Sequence, residues 1–145
     1  MTKIHVLQGK GMDMRGIEHI EIFGPQTLAE INQQVSEYAT QLGLEATFSQ
    51  SNSEEEAIQT IQDLSEHGVD GVLVNPAGFT GSAQSLAAAI AGASCPIYEI
   101  HVSNPSSRGI DSVIKPVCRG SIVGCGLFSY ELGLRAIVDS LSQDS

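Results

Sequence analysis

The sequence predicts an α/β domain built on a central parallel β-sheet with helices on both faces. Strand-like segments alternate with segments of helical periodicity along the chain. The connections between them are short, which favours strand–helix–strand crossovers and hence parallel strands. The run 69–74 is mostly apolar, as expected for a central strand covered on both faces. From its length of 145 residues we expect a single domain over 1–145 with its own hydrophobic core.

The first part of the chain predicts a strand, a loop and a helix. Residues 4–7 alternate as in a strand and lead into a glycine-rich loop over 8–24. Thr27 and Glu30 have the spacing of a capping box, which indicates the start of a helix. Apolar residues then recur at helical spacing as far as Gly43, a residue typical of helix ends.

The next part predicts a second strand and a second helix. Residues 44–49 alternate in character, and Ser53 with Glu56 forms a second capping-box pattern. The helix that follows ends near Gly68. Glu54 and its acidic neighbours favour the positive end of this helix, so we interpret them as structural.

The second half of the chain predicts three strands and two helices. The strands are 69–74, 96–101 and 121–124, and the helices are 82–93, which is rich in alanine, and 130–141. Four residues of the last helix are expected to face inward: Leu134, Ile137, Val138 and Leu141.

The composition excludes several classes of partner. The net charge is −10 with only seven Lys and Arg residues, which argues against nucleic acid and anionic membranes. No apolar run is long enough to span a membrane. The N-terminal residues lack the apolar core and cleavage site of a signal peptide, so we expect a cytoplasmic protein.

The cysteines indicate buried thiols rather than a disulfide or a metal site. Cys95, Cys118 and Cys125 are odd in number and have no C-x-x-C spacing. We expect no metal in this protein.

Polar residues follow the predicted central strands, where parallel sheets bind their ligands. Asn75 follows one strand, and 101–103 follow the next. Glu99 and His101 are two apart at a strand end, so their side chains share one face. A carboxylate beside an imidazole makes it a usable general acid or base, although such a histidine can equally be a hydrogen-bonded structural group. Asn75 precedes a proline, so it is either a ligand-binding amide or a turn residue.

Four segments, read in order, resemble the type II 3-dehydroquinate dehydratases. They are Val74–Thr80, Glu99–Asn104, Arg108 and Pro116–Gly120. The resemblance implies a flavodoxin-like three-layer sandwich that needs no cofactor. It also implies a small-molecule carboxylate ligand and a homo-oligomer built from trimers, expected to be a dodecamer.

The resemblance implies a role for each matching residue. His101 corresponds to the general acid that protonates the departing hydroxyl, and Glu99 to the residue that orients it. Ser103, with the backbone amides around Val102, corresponds to the cradle of the substrate carboxylate. Arg108 matches an arginine that contacts a substrate hydroxyl. Asn75 would bind substrate, whereas Arg119 falls in a largely structural segment.

The loop over 8–24 departs from the family, which there carries a tyrosine base and an arginine that stabilises it. A gapless alignment on Gly9, Gly16 and Gly24 places Phe23 at the tyrosine and Glu18 at the arginine. Because Phe23 has no ionisable oxygen, we predict that the family's usual mechanism does not operate as such. Three further residues differ from the family. Gly11 replaces an asparagine that holds a water, and Gly81 replaces a substrate-binding histidine. Ala88 replaces an aspartate that reaches a neighbouring subunit.

The same loop contains groups that are candidates to replace those lost. His19, Glu18 or Asp13 would supply a base with a pKa nearer neutrality than a phenol. Arg15 lies three residues from the lost arginine position, and a mobile loop flanked by glycines would redirect it to the site. We therefore assign Arg15 and Phe23 to substrate binding. The alternative is a charged, exposed, flexible loop without a catalytic role.

Three functions remain open from the sequence. The first is a divergent lyase or isomerase that acts on a small hydroxylated carboxylate through Glu99 and His101. The second is dehydration of 3-dehydroquinate itself, a step of the shikimate and quinate pathways, at low efficiency. The third is a catalytically silent binding or structural protein.

Overall fold

The computed structural model describes residues 1–144, and five parallel strands form the centre of this part of the chain. The strands are β1 (Lys3–Lys10), β2 (Glu45–Gln50), β3 (Gly71–Ala77), β4 (Ile97–His101) and β5 (Gly120–Val123). The helices are α1 (Ile20–Phe23), α2 (Leu28–Gln41), α3 (Glu54–Glu66), α4 (Gln84–Ala91) and α5 (Phe128–Asp144). The strand order across the sheet is β2-β1-β3-β4-β5.

Two hydrophobic layers lie on opposite faces of this sheet. On one face, Leu73 packs in a cluster with Ile31 of α2 and Leu134 of α5. On the other, Val72 packs in a cluster with Ile61 of α3 and Leu86 of α4. Neighbouring residues of β3 thus face opposite layers, as alternation along a strand requires. The predicted three-layer α/β sandwich is confirmed.

The two predicted capping boxes have different outcomes. At α2 the prediction is right: Glu30 N donates to Thr27 Oγ1 at 3.2 Å, and Thr27 N donates to Glu30 Oε1 at 3.0 Å. At α3 only the first half forms, because Glu56 N donates to Ser53 Oγ but the Glu56 carboxylate accepts from Ser51 Oγ at 2.9 Å. The reciprocal bond predicted for Glu56 is therefore wrong.

Glu54 reaches beyond its own helix. Its carboxylate accepts a hydrogen bond from the backbone N–H of Leu86 at 3.0 Å, in the first turn of α4. The carboxylate thus satisfies a donor that a helix start leaves without an intrahelical partner. The structural interpretation of Glu54 holds, with α4 as an additional target.

Three further expectations need correction. Val138 does not face inward, since 39% of it is exposed. Cys125 is exposed rather than buried, and Cys95 and Cys118 are only half-buried. The loop predicted over 8–24 begins later, because β1 continues to Lys10, and it contains a 3-10 turn at Met12–Met14 and the short helix α1. Within residues 1–144, no helix has the length and apolar character needed to cross a membrane.

The register of the sheet aligns the strand ends that carry polar residues. Gln8 of β1 pairs with Asn75 of β3, and Glu99 of β4 pairs with Ser121 of β5. Gly9 lies where β1 passes against β3, and a Cβ there would approach the Pro76 carbonyl oxygen to 2.3 Å. Only glycine therefore lets the two strands come this close.

Candidate active site

A cavity of about 460 Å³ lies at the carboxyl edge of the sheet, covered by the 12–23 segment. It is lined by eight of the ten residues predicted from the sequence to form the site: Arg15, His19, Phe23, Asn75, His101, Val102, Ser103 and Arg108. Glu99 lies behind His101, and Glu18 lines an adjoining pocket with Lys10. The residues predicted from strand ends and from the loop thus meet in one place.

Glu99 and His101 form a buried pair. Nε2 of His101 lies 2.9 Å from Oε2 of Glu99, and both side chains are almost wholly buried. This contact commits Nε2 to the carboxylate and leaves Nδ1 for the cavity. A carboxylate in this position fixes the orientation of the imidazole.

Two serines complete the surroundings of Glu99. Ser121 Oγ donates to Oε1 at 2.6 Å, and Ser112 Oγ donates to Oε2. Burial alone raises the pKa of the Glu99 carboxyl, but the hydrogen bonds from His101, Ser112 and Ser121 together outweigh it and lower that pKa. Glu99 is therefore an anion at neutral pH.

These serines were not predicted from the sequence. Ser121 pairs directly with Glu99 across β4 and β5, so the register of two predicted strands would have identified it. Ser112 lies in irregular chain before the 3-10 turn at Lys115–Val117, where no periodicity signals a contact.

The Asn75 amide is held from two sides. Its Oδ1 accepts from the Ala77 N–H at 3.1 Å, and its Nδ2 donates to the hydroxyl of Tyr130 at 2.9 Å. One N–H of the amide is left for the cavity. The backbone of Ala77 is left-handed, with φ of 48°, a strained conformation of the kind that clusters at functional sites.

Tyr130 was another residue that sequence reasoning missed. It is fully buried, and its hydroxyl donates to Gln8 Oε1 at 2.8 Å. Gln8 Nε2 in turn donates to Asn32 Oδ1 at 3.1 Å. Burial raises the pKa of the Tyr130 phenol, and the bonds to Asn75 and Gln8 offset that only in part. Tyr130 is therefore a neutral support for the amide.

Ser103 and Arg108 lie on the opposite wall. Nη1 of Arg108 donates to Ser103 Oγ at 3.3 Å. Arg108 ends a 3-10 turn over Pro105–Arg108, which Gly109 terminates with a φ of 73°. This turn brings the guanidinium back over the end of β4, where Ser103 and the backbone at Val102 face the cavity.

Phe23 lies against two arginines. The guanidinium carbon of Arg15 is 3.7 Å from the centre of the Phe23 ring, and that of Arg108 is 5.6 Å from it. Both distances are within the range of a cation–π interaction. Arg15 is only 8% exposed, and Gly16 with φ of 83° turns the chain directly after it. The loop thus directs Arg15 into the cavity.

The three candidate bases occupy different positions. His19 lines the rim of the cavity with a left-handed backbone, and its ring meets the Phe23 ring edge-on at 6.4 Å between centres. Glu18 is exposed and lines the adjoining pocket. Asp13 accepts a hydrogen bond from Asn52 Nδ2 at 3.2 Å and does not line the cavity. Only His19 of the three reaches the cavity wall.

The electrostatics of the cavity differ from those of the chain as a whole. The chain carries −10, yet among the residues that the structure describes no Asp or Glu lines the cavity, while two of the seven cationic residues do. The rest of the lining is largely apolar, with Ile22 and Ile110 among it. Such a cavity favours an anion with an apolar body. Residues 1–144 hold no group of three His, Cys, Asp or Glu side chains arranged for a metal ion.

Comparison with known proteins gives consistent results. A family model described as dehydroquinase class II matches residues 2–138. The 3-dehydroquinate dehydratase of Cellvibrio japonicus is 40% identical over 139 residues, which is 94% of each chain. That of Geotalea daltonii is 41% identical over 145 residues, covering 97% of this chain and 99% of that protein.

A solved structure shows the same arrangement of the chain. The type II dehydroquinase from Butyrivibrio crossotus superposes with a TM-score of 0.90 at 30% identity, covering 94% of this chain and 97% of that one. The match to the family model, over residues 2–138, includes every segment that lines the cavity.

Proposed function

This chain belongs to the dehydroquinase class II family, and we propose that its cavity binds a small hydroxylated carboxylate and carries out lyase- or isomerase-type acid–base chemistry on it. The observation that carries this proposal is the buried Glu99–His101 pair, with its 2.9 Å contact, at the wall of a cavity lined by two guanidinium groups. An anionic substrate and a group able to donate a proton are thereby brought together.

The carboxylate of the substrate would bind at Ser103. The Ser103 hydroxyl and the backbone amides around Val102 supply neutral donors, and Arg108 supplies the charge. The free N–H of Asn75 would bind a substrate hydroxyl, because its other amide groups are already committed to Tyr130 and Ala77.

His101 would act as the general acid. In an elimination, the bond between carbon and the departing hydroxyl breaks, the hydroxyl oxygen takes the proton from His101, and water leaves. The ionised Glu99 stabilises the imidazolium before this step. A base removes the proton from the neighbouring carbon, and the electron pair of the broken C–H bond forms the new double bond.

The family's tyrosine base is absent here, because Phe23 lines the cavity at the corresponding position. We propose His19 as the base, because it reaches the cavity wall whereas Glu18 and Asp13 face elsewhere. Arg15 would stabilise negative charge that develops on the substrate, from its position over Phe23.

The test is turnover of 3-dehydroquinate by the purified protein, followed by absorbance of the conjugated enone, with binding measured by calorimetry. We expect binding, and turnover that is lost in His101→Ala and lowered about tenfold to a hundredfold in Glu99→Gln. His67→Ala is the matched control, since that histidine is exposed at the C-terminal end of α3 and does not line the cavity. Absence of binding by the wild-type protein would overturn the proposal.

Dehydration of 3-dehydroquinate at low efficiency is the second candidate. The relatives at 40–41% identity bear the name 3-dehydroquinate dehydratase, which favours it. It predicts slow turnover of 3-dehydroquinate despite Phe23, and His19→Gln would then remove most of that turnover if His19 is the base. Binding without any turnover of this compound would favour another substrate or a silent binding protein.

We also propose a homo-oligomer built from trimers, with twelve copies as the expected assembly. Apolar side chains are exposed on the 12–23 segment that covers the cavity and at the start of α5. They provide surface for contacts between subunits: Ile17, Ile20, Ile22 and Phe128. Native mass spectrometry would show twelve times the 15.3 kDa of one chain. A monomer would contradict this. The cytoplasmic location expected from the sequence stays a prediction.

A further inference from the structure

Arg15 has a charge that nothing in the described part of the chain neutralises. Of residues 1–144, none accepts a hydrogen bond from its guanidinium, and its Nε is buried without a partner. No Asp or Glu of these residues shares the cavity with it. Burying a cation in this way is unfavourable unless an anion or an acceptor is supplied.

The interactions that Arg15 does make are insufficient to explain its position. It stacks on the Phe23 ring at 3.7 Å, but a ring face supplies no hydrogen-bond acceptor for its N–H groups. Burial is the main cause that lowers the pKa of the Arg15 guanidinium; Tyr130 opposes this shift, and the nearby cation of Arg108 adds to it. The protein thus holds two like charges near one ring.

The two arginines are not equivalent. Arg108 is exposed and already donates to Ser103 beside the end of β4. Arg15 comes from the loop after β1 and lies over the Phe23 ring, and its Nε has no hydrogen-bond partner in the described part of the chain. Because both arginines line the same cavity and lie near one ring, a single small molecule bound in that cavity can contact both.

From this geometry we infer that the cavity takes a dianionic ligand: one carboxylate at Ser103 and Arg108, and a second anionic group at Arg15. This inference rests on the proposed carboxylate site and specifies its substrate class. The body of the ligand between the two groups is a ring or a short apolar chain, since Phe23 and Ile110 line the space there. Gly81, which stands where the family has a histidine, leaves room for the ligand beside Ile110. A Cβ at that position would lie 3.7 Å from Ile110 Cγ2, which is ordinary van der Waals contact.

The test compares ligands that differ in one anionic group. The probes are cyclohexanecarboxylate and the three cis-cyclohexanedicarboxylates, with the second carboxylate at ring position 2, 3 or 4. Binding is measured by calorimetry at neutral pH and low salt. We expect at least one dicarboxylate to bind about tenfold or more tightly than the monocarboxylate, as a charge-assisted pair predicts.

Variants of Arg15 identify the source of that preference. Arg15→Met keeps the length and apolar stem but removes the charge, and it should bring the affinity for the dicarboxylate within about twofold of that for the monocarboxylate. Arg15→Lys keeps the charge and should retain part of the preference, which also guards against misfolding of the Met variant. Arg135→Met removes an exposed arginine of α5 that lies near Glu131, and should change nothing.

The outcomes separate this inference from the proposed function. If the monocarboxylate binds and Arg108→Met abolishes that binding, the carboxylate site stands. Equal affinity for all four probes, or a preference that survives Arg15→Met, would then overturn the dianion inference alone. If the wild-type protein binds none of the four probes and no 3-dehydroquinate, both proposals fail together.

Discussion

The hydroxyl of Tyr130 accepts a hydrogen bond from Asn75 Nδ2 at 2.9 Å, inside the first turn of α5 and beneath the cavity. The same hydroxyl donates to Gln8 Oε1, so one phenol links β1, β3 and α5. Its full burial excludes water as a substitute partner. The orientation of a ligand-facing amide thus depends on a residue 55 positions away in sequence.

Replacing Tyr130 with Phe should therefore affect both stability and binding. The change leaves Asn75 Nδ2 and Gln8 Oε1 each without a buried partner, and we expect the free energy of unfolding to fall by about 1–3 kcal/mol. We also expect weaker binding of 3-dehydroquinate, because the amide of Asn75 is then held only through the Ala77 N–H. Urea denaturation and calorimetry measure the two effects.

Tyr98→Phe is the matched control for this prediction. The Tyr98 hydroxyl is hydrogen-bonded to Ser140 Oγ at 2.5 Å, and Tyr98 does not line the cavity. It should lower stability without changing ligand affinity. Unchanged affinity in Tyr130→Phe would show that Tyr130 does not position Asn75.

The buried His5 should make the folded protein less stable in mild acid. Its ring lies between Thr47 Oγ1 at 2.7 Å and Ser49 Oγ at 2.8 Å. Burial lowers the pKa of His5 from 6.5 to about 4, so the folded protein keeps it neutral while the unfolded chain takes up a proton below pH 6.5. Stability should fall as the pH decreases from about 6.5 to about 4, by up to roughly 3 kcal/mol.

Urea denaturation between pH 4.5 and 7.5 checks this prediction through variants. His5→Gln should flatten the dependence of stability on pH relative to the wild-type protein. His67→Gln removes an exposed histidine and should leave that dependence intact. Identical slopes in all three proteins would mean that the burial of His5 has no energetic consequence.

Glu54 should stabilise the start of α4. Glu54→Ala removes the carboxylate that accepts from the Leu86 N–H, while Glu55→Ala removes a neighbouring acid of the same helix turn without that bond. Both variants lose the same favourable interaction with the α3 dipole, so their difference isolates the contact with α4. We expect Glu54→Ala to be less stable by about 1 kcal/mol in urea denaturation. Equal stabilities would contradict a capping role.

The elements of the fold were predictable where periodicity and caps agree. The start of α2 follows from Thr27 and Glu30, whose reciprocal bonds both form. The end of β1 was missed because Gln8 and Lys10 pair with β3 through backbone bonds that hydropathy does not reveal. Val138 was assigned inward because it is apolar, but the buried stripe follows Tyr130, Leu134 and Ile137 and leaves it at the edge.

The candidate site was predictable where it depends on strand ends. Asn75 and His101 follow from the rule that parallel sheets bind ligands at their carboxyl edge. Tyr130 was missed because its helix reads as an apolar stripe, in which a buried phenol resembles any other core residue. The direction of Arg15 into the cavity depends on the turn at Gly16, which loop composition alone does not specify.

Phe23→Tyr should give this cavity a phenolic base in addition to His19. The new phenol would be carried by a ring that already lies 3.7 Å from the Arg15 guanidinium and 5.6 Å from that of Arg108. Two nearby cations favour the phenolate and lower the pKa of a phenol from its usual value near 10. We expect turnover of 3-dehydroquinate to rise about tenfold or more, since a positioned base contributes at least that much.

Phe23→Leu is the control without a phenol and should show no gain in turnover. Phe23→Tyr combined with His101→Ala should lose the gain that Phe23→Tyr alone produces. A Phe23→Tyr protein that binds 3-dehydroquinate but turns it over no faster than the wild type would show that the missing phenol is not what limits this site.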